Sequence, residues 1–98
     1  MSDKPKFPTV KKTEYHGEQV VTNKMVDYYF DGTNFGPNNT TAHRMELLAH
    51  GVLKNQAGYW NGHTLFQIMV ACELVSKKAN ITRRGKLFIY NHFCRNNV

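Results

Sequence analysis

The chain is 98 residues long, enough for one hydrophobic core and too short for two. Its formal charge of +6 suits a soluble protein with an acidic partner. The longest apolar run, Leu65 to Val75, falls far short of a bilayer-spanning helix, and two cysteines with no secretory signal exclude a disulfide scaffold and imply reduced thiols in the cytoplasm.

The charge is unevenly spread. Residues 1–12 carry four lysines against Asp3. Residues 13–73 are mildly acidic, with Lys24, Arg44 and Lys54 against six carboxylates. Residues 74–98 carry Lys77, Lys78, Arg83, Arg84, Lys86 and Arg95 and no acid. A segment that basic points to a polyanion.

Residues 1–13, MSDKPKFPTVKKT, hold two prolines, four lysines and little apolar surface. They are expected to form a flexible basic arm ahead of a single globular domain over 14–98. Between 14 and 36 two patterns overlap. Val21, Met25, Val26, Tyr29 and Phe30 fall at helical spacing, giving a helix from Gln19 to Phe30 stopped at Asp31-Gly32. The pairs Val20-Val21 and Met25-Val26 around Thr22-Asn23-Lys24 also fit a β-hairpin, which would make the fold α+β. The nine residues DGTNFGPNN that follow are loop.

Residues 40–58 predict the clearest helix. Thr40 or Thr41 caps it, Ala42, Met45, Leu48, Ala49, Val52 and Leu53 share one face, and Gly58 ends it. Gly51 in its middle implies a close neighbour. Tyr59-Trp60-Asn61-Gly62-His63 forms an aromatic turn in which the lone tryptophan serves either as a lid on the core or as an exposed interface anchor. Thr64 then caps an apolar helix over 65–78, with Lys77 and Lys78 at its negative end and Asn80 as its stop. Thr82 caps a last helix that packs through Leu87, Phe88, Tyr90, Phe93 and Cys94 and carries Arg83, Arg84, Lys86 and Arg95 outside. The expected fold is mainly α, a small domain of three or four helices.

No glycine-rich phosphate loop, GxSxG or HExxH occurs, and the carboxylates are scattered. His43, His50, His63 and His92 with Glu46 lack any spacing signature of acid–base catalysis. Cys72, Cys94, His63 and His92 match no zinc pattern. The chain therefore reads as non-enzymatic, with no cofactor and no metal.

The order of elements from Leu74 to Phe93 suggests a helix-turn-helix, in which one helix braces a second that enters the major groove. LVSKKANIT followed by YNHF resembles the motif of TetR-type repressors: Ala79, Ile81 and Thr82 correspond to its turn, and Tyr90, His92 and Phe93 to the aromatic cluster closing its recognition helix. The resemblance implies that Thr82 and Arg83 to Lys86 face DNA while Ala79 and Ile81 pack the turn. It also implies a regulatory role and, for a palindromic site, a homodimer. Lys77, Lys78, Thr82, Arg83, Arg84, Lys86 and Arg95 are the expected contacts to DNA or RNA, since aromatic and arginine side chains together also suit single strands.

A second class fits the same residues. Small, Asn- and Lys-rich single domains of the phage type serve as inhibitors that bind and block a host nuclease, polymerase or defence complex. Such a protein would meet an acidic or nucleic-acid-binding host protein through the basic face and through exposed members of Tyr59, Trp60, Phe88 and Tyr90.

Overall fold

The computed structural model describes residues 4–8, 20–33, 35 and 39–94. Residues 1–3 and 9–13 of the expected arm, the Gln19 start of the first helix, and Arg95 lie outside them. The domain is mainly α, with four helices among the described residues: α1 (Asn23–Phe30), α2 (Thr41–Gln56), α3 (His63–Ala71) and α4 (Arg83–Phe93).

Over the described residues 20–33 the ambiguity between helix and hairpin resolves to helix. Helix α1 begins later than its apolar spacing predicts because Thr22 is its cap. The Thr22 hydroxyl accepts the Met25 amide at 3.1 Å, and the Met25 sulfur accepts the Thr22 amide at 3.5 Å. Val20 and Val21 lie just before the helix and are buried nonetheless. Their β-branched pairing therefore records burial, not a strand.

Helix α2 is capped by Thr40, whose side chain accepts the His43 amide, and it ends at Ala57 with Gly58 at φ 91°. Helices α1, α3 and α4 all pack on α2, and α1 also meets α3. Leu48, Ala49 and Val52 supply the buried face of α2, against Met25, Val26 and Phe30 of α1 and Leu65, Ile68 and Met69 of α3. The implied close neighbour of Gly51 is α3: a Cβ there would lie 2.9 Å from a Leu65 methyl and 3.2 Å from the Met69 sulfur. Two positions expected on the buried face, Ala42 and Leu53, are exposed, because the face is narrower than the sequence stripe. Asp27 ties α1 to the start of α2 by accepting the Thr41 hydroxyl at 2.7 Å, with the Arg44 guanidinium 3.6 Å away.

The largest departure lies after α3. Its cap is Gly62 and not Thr64, and the helix ends at Ala71, seven residues before the expected end. Glu73 adopts the left-handed conformation at φ 60°. Its amide bonds the Val70 carbonyl, and the Leu74 amide bonds the Met69 carbonyl. That pair of bonds is a Schellman stop with glutamate where glycine is usual. Leu74 and Val75 remain buried, so the apolar run is core throughout but helical only in part.

From there the chain makes a small closed loop. Val75 and Ile81 form an antiparallel bridge, the Ser76 amide bonds the Asn80 carbonyl at 2.8 Å, and Lys77-Lys78-Ala79 is the three-residue tip, with Ala79 left-handed at φ 66°. Eleven residues thus separate α3 from α4, where a helix-turn-helix has three or four. Moreover, α3 and α4 have no close backbone approach to each other, since each packs on α2.

Candidate nucleic-acid interface

Thr82 starts α4 as expected, and its hydroxyl both accepts and donates a hydrogen bond within the fold. It accepts the Gly85 amide at 3.0 Å and donates to the Glu73 carbonyl at 2.6 Å, while the Thr82 amide bonds the Leu74 carbonyl. These bonds lash the loop to the first turn of α4. Thr82 is therefore the cap of α4, and its hydroxyl proton is committed within the fold.

Helical rotation then sorts the basic residues of α4. Gly85 and Phe88 are buried, so Arg83, Lys86 and Tyr90 form the outward stripe at i, i+3, i+7. Arg84 faces inward. Its guanidinium donates to the Val20 carbonyl at 3.0 Å and to the Pro8 carbonyl at 2.8 Å, and it sits 5.3 Å from the centre of the Phe7 ring. Arg84, which the sequence placed among the DNA-facing residues, thus clamps residues 7 and 8 of the N-terminal segment to the domain. Of the expected packing residues of α4, Tyr90 and Cys94 are exposed, whereas Phe88, a candidate exposed aromatic of the inhibitor reading, is buried.

Lys77 and Lys78 occupy the exposed loop tip and not a helix terminus. The tip is fixed from within by the Ser76 hydroxyl, which accepts the Lys78 and Asn80 amides, and from outside by the Asn55 side chain, which donates to the Ala79 carbonyl at 2.9 Å. Asn55 belongs to the last turn of α2. The same turn carries Lys54, whose carbonyl receives the Tyr59 amide at 2.9 Å. One end of the molecule therefore gathers Lys54, Tyr59 and Trp60, the Lys77-Lys78 tip, and Arg83 and Lys86. Sequence reading missed Lys54; its signal was position alone, on the polar side of a helix that ends in an aromatic turn.

Tyr59 and Trp60 are exposed at 68% and 66%, so Trp60 is no lid on the core. Gly58 and Gly62, at φ 91° and 84°, hold the intervening residues outside the helix–helix joint. The indole leans on Phe66 of α3, with ring centres 5.4 Å apart and planes tilted by 38°.

Among the described residues, Glu46, His50 and His92 lie within electrostatic range of one another. His50 lies 3.8 Å from Glu46, both exposed to water, and His63 bonds Gln67. His92 packs between Phe88 and Phe93. Burial lowers its pKa below the ordinary 6.5, and His50 adds to this, while Glu46 opposes it. The neutral ring is the form the fold prefers. Stability is consequently full above the ordinary imidazole value and is lost as pH falls below it. Urea midpoints measured between pH 7.5 and pH 5.5 should drop, and His92→Gln should flatten that drop; an unchanged slope would place the pH dependence elsewhere. The buried Cys72 thiol is pushed up to about 12, mainly by desolvation, which makes it a small apolar residue at neutral pH. Among the described residues no three His, Cys, Asp or Glu side chains are grouped to hold a metal ion, and no helix is long and apolar enough to cross a membrane.

The geometry defines a four-helix domain with one basic, aromatic end. No protein-family model, curated protein or solved structure matches the chain.

Proposed function

We propose that the protein is a non-enzymatic nucleic-acid-binding protein whose contact surface is this basic end, with Lys54, Lys77, Lys78, Arg83 and Lys86 on the phosphates. One observation carries the reading. Residues 47–98 hold seven cations against Glu73 alone, whereas residues 1–46 hold six of each sign, so the whole net charge belongs to the half that builds this end. A phosphate backbone is the common ligand of such a surface. The loop tip is fixed by hydrogen bonds on both sides, so the backbone that carries its lysines needs little ordering on binding.

Anisotropy of labelled single-stranded and duplex oligonucleotides across a salt series tests this. The expected result is micromolar binding whose logarithm falls linearly with log salt, by about 0.7–0.9 per phosphate contacted. Lys77→Glu/Lys78→Glu and Arg83→Glu/Lys86→Glu should each weaken binding and cut the slope by about two. Arg84 is left out because its guanidinium is engaged inside the fold. Wild-type binding by a folded variant carrying all four changes would remove this face. No binding at low salt would overturn the proposal and leave the second reading, an inhibitor that covers an acidic or nucleic-acid-binding host protein with the same end.

A further inference from the structure

We infer that the ligand of this end is a single-stranded nucleic acid, one base of which stacks on the outer face of Trp60. The inference rests on the nucleic-acid reading above and deepens it. Trp60 is two-thirds exposed, yet it is not loosely held. Phe66 supports one face of the indole, the Tyr59 amide is bonded to the Lys54 carbonyl, and the Asn61 side chain donates to the Gly51 carbonyl at 2.7 Å. A supported indole with its second face open is a platform for a flat aromatic ligand.

The surroundings select which flat ligand. No carboxylate occurs between Glu46 and Glu73 in sequence, so the C-terminal part of α2, the turn and the whole of α3 carry no acid. Lys54 lies in the turn of α2 that leads into the aromatic pair, and the Asn55 bond brings the Lys77-Lys78 tip to the same turn. Aromatic platform and cations in one place match a chain of bases and phosphates. They match a strand with unstacked bases, because the bases of a duplex are already stacked on each other and out of reach of an indole on a surface turn. The loop after α3 adds to this: eleven residues, not the three or four of a helix-turn-helix, separate α4 from the helix before it, and the two make no close backbone approach. A protein hot spot would also use an exposed tryptophan, and Leu53 and Tyr59 are exposed in the same turns, but the charge there is positive, with Lys54 and no carboxylate.

Trp60 is the single tryptophan of the chain, so intrinsic fluorescence reads the site directly. The experiment titrates the full chain with oligo(dT), oligo(U) and a duplex of equal length, following fluorescence and anisotropy together. Both single strands should quench the emission to saturation and bind at least about tenfold tighter than the duplex, as expected for one stacked base. Trp60→Ala should lose about tenfold in single-strand affinity with an unchanged salt slope, and Trp60→Phe should keep most of it. The indole is exposed, so both variants should retain wild-type circular dichroism. Single-strand binding that is salt-dependent, unquenched and indifferent to Trp60→Ala would overturn the stacking inference and leave the phosphate reading standing. Preference for the duplex would overturn it as well. Failure of every oligonucleotide to bind would bring down both.

Discussion

Replacing Gly85 with alanine should lower the free energy of unfolding by about 2–4 kcal/mol, although alanine is the better helix former by about 1 kcal/mol. Gly85 lies in the first turn of α4, directly against the backbone of the loop it follows. A Cβ there would fall well inside contact distance of the Leu74 carbonyl oxygen and 2.9 Å from Ile81 Cγ1. Backbone cannot step aside as a side-chain end can. The same carbonyl accepts the Thr82 amide, and the Thr82 hydroxyl caps the Gly85 amide, so relief of the clash costs the cap as well, itself worth about 1 kcal/mol. Gly51→Ala makes the contrast. The nearest neighbours of its Cβ would be a Leu65 methyl, the Met69 sulfur and Leu65 Cγ, side-chain atoms that can shift, so the change should stay within about 1 kcal/mol of zero. Urea unfolding of the two variants checks this, and equal effects would mean that α4 does not approach the loop as closely as described.

The consequence reaches the basic end. Lys77, Lys78, Arg83 and Lys86 share one surface because the loop is fastened to α4 at Thr82 and Gly85 and to α2 at Asn55. Gly85→Ala in its folded fraction should therefore weaken nucleic-acid binding without removing a single charge. That effect separates a preorganised surface from a mere sum of cations.

Most of the helices were legible in the sequence for identifiable reasons. Thr40 and Thr82 are strong caps followed by periodic apolar residues, and both cap their helices through the side chain. Gly51 was legible as a close approach because glycine weakens a helix interior by about 1 kcal/mol, a loss that tight packing against a neighbour offsets. The end of α3 was not legible, because the signal that normally marks it is missing. Glu73 and Ala79 take left-handed conformations that sequence reading reserves for glycine or asparagine, at a cost of about 1–2 kcal/mol each that burial of Leu74 and Val75 and the hydrogen bonds of the loop offset. An apolar run reports burial, and it reports helix only when its ends are marked. The site was half legible for the same reason. Composition pointed to the basic end and to the exposed aromatics. Whether an arginine at the start of α4 faces solvent or core depends on helix phase, and phase was set by Gly85 and Phe88, which a count of charges does not see.

Arg84→Ala should cost about 2–3 kcal/mol, a value out of line with a surface cation, which contributes at most about 1 kcal/mol. The guanidinium satisfies two carbonyls in different segments, Val20 before α1 and Pro8 near the start of the chain, and covers the Phe7 ring. Val20 is buried, so without Arg84 its carbonyl loses its partner in a place that water reaches poorly. Phe7 would also be freed from its edge contact with Tyr29. Lysine is the informative replacement. It keeps the charge but is a point donor that cannot fork to two carbonyls, so Arg84→Lys should recover less than half of the loss. The two roles proposed for this position make opposite demands on binding. If Arg84 touched phosphate, Arg84→Lys would bind oligonucleotides as wild type does and Arg84→Ala would cut the salt slope by about one. As a clamp, its replacement by alanine should leave the slope unchanged in the folded protein and shift only the urea midpoint. Loss of slope without loss of stability would return Arg84 to the interface and detach residues 7 and 8 from the domain.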